Sequence, residues 1–260
     1  MTVIEAIILG IIQGLTEFLP VSSSGHIQLG NALLGTETTD SLSFTIIVHA
    51  ATVLSTMVVF RSDIANILSG LFKGEKEDLT FAAKIIASMV PTGIIYIAFK
   101  PQIEALFDQN LTLVGICLLV TAAVLGLTTI APSGSKKIGW PQAILIGISQ
   151  AIAILPGISR SGSTISTALY MGIDKEKATR FSFLMVIPLI LGGSLIDIKD
   201  MMESPEPSGL SFGVLAAGFI AAFIAGLAAC HWMIGIVKKG KLTWFAIYCA
   251  IVGIIAIIAA

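Results

Sequence analysis

Two short polar loops carry most of the residues that could do chemistry in this otherwise apolar chain. The first loop, residues 20–26 (PVSSSGH), follows a segment in which Gln13 and Glu17 stand four positions apart. Side chains at that spacing share one face of a helix. Glu17 lies in an apolar run, where a carboxylate is costly unless it is paired or has a function. The pattern predicts a catalytic or metal-binding acid, with a structural polar contact between helices as the alternative.

The histidine of the first loop follows three serines and a glycine. His26 shares the loop with hydroxyl groups and stands close to Glu17 in sequence, which favours acid–base chemistry over a structural role. Glycine lets the backbone approach a ligand closely. A serine here can instead cap the N-terminus of the following helix, and Ser22 and Ser24 suit that role.

The second loop, residues 156–164 (PGISRSGST), contains Arg160, the one basic residue in either loop. A buried guanidinium needs an anion, and its planar fork suits phosphate. Pairing with Glu17 is the alternative, and it could hold in an empty site while phosphate replaces the acid in a loaded one. Neighbouring hydroxyls and glycine amides would complete a phosphate cradle. These are Ser159, Ser161, Gly162, Ser163 and Thr164.

The elements that must position these loops are membrane helices. Hydrophobic residues make up 55% of the 260 positions and charged residues 12%, and the net charge of −1 gives no case for nucleic acid as a partner. Crossing a hydrocarbon core takes about 20 apolar residues. The candidate spans are residues 41–60, 80–99, 111–131, 181–196, 210–237 and 242–260. His49 and His231 fall in or at the ends of these spans, and we expect them to pack or hydrogen-bond.

Two further apolar segments, residues 2–19 and 138–155, lead into the polar loops and resemble each other. Seven residues recur 137 positions later in the chain: Gly10, Gln13, Ser22, Ser24, Gly25, Gly35 and Phe44. Each half then continues with a short helix and three spans. The pattern predicts a single membrane domain made of two repeats, about 1–131 and 138–260, as in many transporters.

Basic residues orient these halves, because Lys and Arg concentrate on the cytoplasmic side. If both loop segments are re-entrant hairpins, twelve basic residues share one side: Arg61, Lys73, Lys76, Lys84, Lys136, Lys137, Lys175, Lys177, Arg180, Lys238, Lys239 and Lys241. Only Lys100 and Lys199 lie opposite. Full spans at residues 2–19 and 138–155 would split the same charges seven to seven. The re-entrant arrangement places both termini outside and inverts one half relative to the other.

The two polar tips should therefore meet near the middle of the bilayer. Irregular backbone at that depth needs protein or a watery cavity around it. Half-helices whose N–H groups point into such a junction form an anion site.

These motifs resemble the bacitracin-resistance family of undecaprenyl-diphosphate phosphatases. The family is marked by an (E/Q)xxxE segment, a PVSS[ST]GH loop and a PGxSRSxxT loop, and all three occur here in order over the length of the chain. The resemblance implies an all-α polytopic membrane protein, an inverted repeat with six transmembrane helices plus two re-entrant helical hairpins. It implies a multi-pass protein of the plasma membrane with its active site opening outward.

The same resemblance implies hydrolysis of undecaprenyl diphosphate to the monophosphate and phosphate, with a divalent cation, Mg²⁺ or Ca²⁺. That reaction recycles the lipid carrier of cell-wall synthesis and confers bacitracin resistance. The family's catalytic positions fall on Glu17, Ser23, His26 and Arg160, with Glu17 also a metal ligand. The substrate-binding set would be Gln13, Ser22, Ser24, Gly25, Ser159, Ser161, Gly162 and Thr164. Expected partners are the polyprenyl lipid and the bilayer, with a second copy of the chain as a further candidate.

Several points stay open at this level. Many family members have Glu where this chain has Gln13, which weakens a metal site built from two acids. Either Ser23 or His26 could attack phosphorus while the other moves the proton. A lipid flippase or secondary transporter would share the architecture. A lipid phosphatase of the acid-phosphatase type is disfavoured, because its preceding Lys…Arg-Pro motif and second histidine are missing.

Overall fold

Helices make up almost all of the fold. The structure, a computed structural model, describes residues 1–35, 38–106, 110–132, 134–203, 210–239 and 242–260. Over these residues the prediction of an all-α chain is confirmed. The helices are α1 Val3–Phe18, α2 Ser23–Leu34, α3 Thr38–Val59, α4 Arg61–Lys73, α5 Lys76–Ala105, α6 Leu111–Leu127, α7 Trp140–Ile152, α8 Arg160–Tyr170, α9 Lys175–Glu203, α10 Phe212–Lys238 and α11 Thr243–Ile258, with a 3₁₀ turn at Thr128–Ile130.

Several of these helices suit a bilayer by length and apolar composition. Three could cross it unaided: Lys76–Ile103, Leu111–Ile130 and Phe212–Lys238. They coincide with the second, third and fifth predicted spans. The first predicted span falls on α3, the fourth on α9 and the sixth on the shorter apolar helix α11.

The region after the first predicted span differs from the expectation. Here α3 meets a further helix, α4, that the sequence analysis did not assign, and the chain bends by 74° between them. Helix α4 has a polar and an apolar face, as expected of a helix that lies along a surface. Lys241, one of the twelve basic residues used for orientation, lies outside the described residues.

The two hairpins are built alike. The first hairpin is α1, residues 19–22 and α2; the second is α7, residues 153–159 and α8. Ser22 caps α2 by accepting the Gly25 N–H at 3.4 Å, and Ser159 caps α8 by accepting the Gly162 N–H at 3.0 Å. The serine and the glycine that recur 137 positions apart therefore form the same N-cap in each hairpin. This confirms capping as a role of Ser22.

Each hairpin packs against the other half of the chain. Helix α1 lies on α10 and α3, α7 lies on α5, and α6 pairs with α11. Glycines bring α1 close to α10: a Cβ added at Gly10 would stand 2.5 Å from the Gly218 carbonyl oxygen, and one at Gly14 would stand 2.5 Å from that of Ala222. Small residues permit this kind of close approach between membrane helices.

Candidate active site

The tips of the two hairpins touch. The Gly157 N–H of the second loop donates to Ser22 Oγ of the first at 3.1 Å. In the other direction, the Ser161 hydroxyl donates to the Leu19 carbonyl oxygen at 3.2 Å. The expectation that the two polar tips meet is thus confirmed, and their side chains form one site.

Glu17 is the centre of this site. It is 8% exposed. Its Oε2 accepts the Gln13 amide at 3.0 Å and the Ser23 hydroxyl at 2.6 Å. Its Oε1 is paired with the Arg160 guanidinium. The prediction that Gln13 and Glu17 share a helix face is confirmed, and so is the alternative that Arg160 pairs with Glu17.

One nitrogen of the Arg160 guanidinium has no hydrogen-bond partner among the described residues. Its Nη2 pairs with Glu17, while its Nη1 is buried and has no hydrogen-bond partner among the described residues. A buried donor without a partner is unfavourable, so this nitrogen is suited to an incoming acceptor such as a phosphate oxygen.

His26 is held by its own loop and by the last helix. Its Nδ1 lies 2.8 Å from the Ser22 carbonyl oxygen, and its Nε2 lies 2.8 Å from the Tyr248 hydroxyl. A carbonyl oxygen only accepts, so Nδ1 carries a hydrogen and the neutral ring accepts the Tyr248 O–H at Nε2. The two rings also stack at 5.6 Å. Tyr248 thereby fixes the orientation of the imidazole.

The loop hydroxyls differ in burial. Ser23 and Ser24 are half-buried, with Ser23 Oγ on Glu17 and Ser24 Oγ 3.3 Å from Ser22 Oγ. Thr164 is fully buried and bonds the Arg160 carbonyl at 2.9 Å and Ser182 Oγ at 2.6 Å. The amides of Gly25 and Gly162 already bond their capping serines. Substrate contacts by this set stay predictions.

His49 stands beside Glu17, which the sequence analysis did not foresee. Its Nδ1 lies 2.8 Å from the Thr45 carbonyl oxygen, so it does hydrogen-bond within its helix as expected. Its Nε2, however, faces Glu17 Oε2 at 3.8 Å. An apolar span gives no sign of which side faces a site, and the same reason hid Tyr248.

Glu17 and Gln13 present two oxygen atoms of the kind that bind hard divalent cations. Across the described ranges no group of three or more His, Cys, Asp or Glu side chains comes together. Gln13 is fully buried, and its Oε1 finds no hydrogen-bond partner in the described part of the chain. A carboxylate and a spare amide oxygen are donors that hard divalent cations accept.

The apolar helices, with a polar centre between two helical hairpins, define a helical multi-pass membrane protein. The chain belongs to the family described as bacitracin resistance protein BacA, whose model matches residues 6–255. A relative named undecaprenyl-diphosphatase from Christiangramia forsetii is 56% identical, over 99% of this chain and 98% of its own. Those of Bacteroides fragilis and Methanosphaera stadtmanae are 52% and 42% identical, each over 98% of this chain and 97% of their own.

Proposed function

We propose that this protein is an integral membrane phosphatase that hydrolyses undecaprenyl diphosphate to undecaprenyl phosphate and inorganic phosphate. The product returns to cell-wall synthesis as lipid carrier, and its supply confers bacitracin resistance. One observation carries the proposal: Glu17 contacts both the Ser23 hydroxyl and the Arg160 guanidinium. A nucleophile from the first hairpin and an anion binder from the second therefore converge on one carboxylate, which can act as the base. The names of the relatives supply the substrate.

Ser23 is the nucleophile that this geometry favours. Its hydroxyl donates to Glu17 Oε2 at 2.6 Å, which is the arrangement of a nucleophile and its general base. The ring nitrogens of His26 are instead engaged with Ser22 and Tyr248. Ser23 Oγ attacks the terminal phosphorus, its proton passes to Glu17, and the anhydride P–O bond breaks to release undecaprenyl phosphate. Water then cleaves the phosphoserine, which releases phosphate and restores the hydroxyl.

In the proposed reaction Arg160 binds the negatively charged phosphate and His26 transfers a proton. A diphosphate that attracts the guanidinium frees Glu17 to accept the serine proton, and the unpartnered Nη1 gives the phosphate a donor from the start. We assign His26 the role of a base, because its neutral ring carries a lone pair and no hydrogen at Nε2: the water that cleaves the phosphoserine would give its proton to Nε2 in place of the Tyr248 hydroxyl, which otherwise orients the ring. Ser24, Gly25, Ser161 and Gly162 would line the rest of the phosphate cradle.

A divalent cation, Mg²⁺ or Ca²⁺, would be held by Glu17 and the Gln13 amide oxygen. When bound, it supplies positive charge that offsets the charge of the diphosphate. Glu17 is the strongest donor in this set, and Gln13 adds an oxygen without adding charge.

We further propose the full topology of six spans and two oppositely inserted re-entrant hairpins, with both termini and the site opening to the outside of the plasma membrane. Support comes from the packing of each hairpin against the other half of the chain, α1 on α10 and α7 on α5. The two equivalent serine caps add further support. Labelling of single cysteines at Lys100 and Lys136 from outside intact cells tests it: only the first should react. A homodimer is a separate proposal, which cross-linking in membranes would test.

The activity test is phosphate release by detergent-purified protein from undecaprenyl diphosphate and shorter prenyl diphosphates. Transport requires two compartments, so release in detergent separates hydrolysis from a flippase. Replacing Ser23 by Ala should reduce release by about 10²–10⁴-fold, since both nucleophile and proton donor are lost. Ser149→Ala is the matched control, because among the described residues the Ser149 hydroxyl bonds only the Ile146 carbonyl of its own helix, at 2.8 Å. Ser23→Ala protein with activity close to that of the control would exclude Ser23 as nucleophile.

A further inference from the structure

One buried hydroxyl on α6 holds the backbone of the second loop from outside both hairpins. The Thr121 side chain donates a hydrogen bond to the Gly157 carbonyl oxygen at 2.9 Å and accepts one from the Ser159 N–H at 3.0 Å. Thr121, Gly157 and Ser159 are all buried, so bulk water does not reach either bond. A buried backbone group that loses its partner is costly. This single hydroxyl therefore fixes the chain on both sides of Ile158.

The second loop lies directly against α6. Gly157 has a φ of +96°, which favours glycine, and a Cβ added there would stand 2.5 Å from the Val114 carbonyl oxygen and 2.6 Å from the Cys117 Cβ. Val114, Cys117 and Thr121 are spaced three and four residues apart, which places them on one face of α6. The close contact at Gly157 thus brings the loop within reach of a side chain as short as threonine.

Arg160 follows directly after the backbone that Thr121 holds. Ser159 is the N-cap of α8 and Arg160 is its first residue, so the position of the Ser159 backbone sets the point from which the guanidinium extends. The Arg160–Glu17 pair joins the two tips across the site, and under the proposed function a diphosphate must open it. The bonds from Thr121 come from a helix that belongs to neither hairpin, so they do not depend on that pair.

We propose that Thr121 is a positioning residue for phosphate recognition, whose hydroxyl keeps Arg160 in place when the guanidinium leaves Glu17 for the anion. The inference deepens the proposed function, on which it rests for the anion that Arg160 binds. Tyr248 on α11 has the corresponding role for His26, and α6 packs against α11. This pair of helices supports both tips, through Thr121 for anion binding and through Tyr248 for proton transfer.

The test measures binding of inorganic pyrophosphate to detergent-purified protein by isothermal titration calorimetry, without lipid substrate. Thr121→Val keeps the side-chain shape but loses the hydroxyl, and it should weaken binding about tenfold or more, because small misplacements of a binding group have large effects. Thr121→Ser retains the hydroxyl and should bind like the unmodified protein. Thr179→Val is the matched control, because Thr179 is equally buried and, in the described part of the chain, its hydroxyl bonds only the Lys175 carbonyl, at 2.8 Å.

Kinetics separate positioning from a general loss of stability. With undecaprenyl diphosphate as substrate, Thr121→Val should raise KM about tenfold or more and change the turnover number much less, because it weakens a contact made before and during the reaction. A loss of folded protein would instead lower the apparent turnover number and leave KM unchanged. Unchanged KM and unchanged pyrophosphate affinity in Thr121→Val would overturn the inference, and so would an unmodified protein that does not bind pyrophosphate.

A second measurement uses only the unmodified protein. Amide hydrogen exchange resolved to single residues should find the Ser159 N–H slow to exchange both with and without pyrophosphate, because Thr121 holds it in both states. Fast exchange of this amide in either state overturns the inference even if Thr121→Val fails to fold. Weakened pyrophosphate binding by Thr121→Val, in a protein whose unmodified form releases no phosphate from the lipid, would support the positioning role and count against the proposed function alone.

Discussion

Replacing Glu17 by Gln should lower both the turnover number and the melting temperature. Binding of an anion should partly restore the melting temperature. Glu17 accepts hydrogen bonds from Gln13 and Ser23 and pairs with Arg160. The amide keeps an oxygen for Arg160 but loses the charge and the basicity. Loss of a general base lowers the turnover number by about 10²–10⁴-fold, or about 3–5 kcal/mol of barrier.

The stability cost follows from the same contacts. A hydrogen bond to a charged partner contributes about 1.5–3 kcal/mol, and Glu17→Gln forfeits about that much. Glu17→Ala leaves the Arg160 guanidinium buried without any partner on α1, which costs about 3–5 kcal/mol. The expected order of melting temperatures in detergent is therefore unmodified protein, Glu17→Gln, Glu17→Ala.

The shift in melting temperature on adding phosphate or pyrophosphate distinguishes loss of the Glu17 charge from a general loss of stability. In the unmodified protein an anion must draw Arg160 away from Glu17, whereas in the Gln variant the guanidinium has no such competitor. The same anion concentration should therefore raise the melting temperature of Glu17→Gln more than that of the unmodified protein. Equal anion shifts in the two proteins, or phosphate release by Glu17→Gln within threefold of normal, would refute the central role given to this carboxylate.

Three further results are expected. Tyr248→Phe should lower the turnover number about tenfold with little change in KM, because His26 loses its orienting partner; Tyr170→Phe, whose hydroxyl bonds the Val124 carbonyl, should leave it unchanged. Gly14→Val should prevent correct folding, visible as aggregation on size exclusion, since its Cβ would meet the Ala222 carbonyl, whereas Gly93→Ala has open space and should be neutral or mildly stabilising. Removal of divalent cations by a chelator should abolish phosphate release, with recovery on re-addition; full activity in the chelator would contradict a cation at Glu17.

The polar residues of the two loops could be predicted from sequence because a charge in an apolar run has few uses. Glu17, Arg160 and His26 stood out for that reason, and the contact between the tips followed from the repeat. His49 and Tyr248 could not be found in this way. Both lie on helices with little segregation of polar from apolar residues, so periodicity does not say which face meets the site, and their partners are distant in the chain.

Helix α4 was missed for a different reason. Its thirteen residues after Phe60 carry too much charge for a span, and its amphipathic pattern was not assigned to any element. The 74° bend that separates it from α3 depends on how both helices pack rather than on a proline or glycine at the junction. Local sequence therefore gave no warning of it.

Because α1 packs against α10, it can reach its final position only after α10 has been synthesised. The grooves that receive Gly10 and Gly14 belong to a helix that begins at Phe212, so most of the chain must leave the ribosome before they exist. Until Arg160 has been synthesised, the Glu17 carboxylate has no guanidinium to pair with. Its free energy is then lower near the aqueous surface than inside the hydrocarbon core. Helix α1 is thus among the last helices to reach its place although it precedes the others described here, and a nascent chain stalled before α10 should leave α1 open to aqueous labelling reagents.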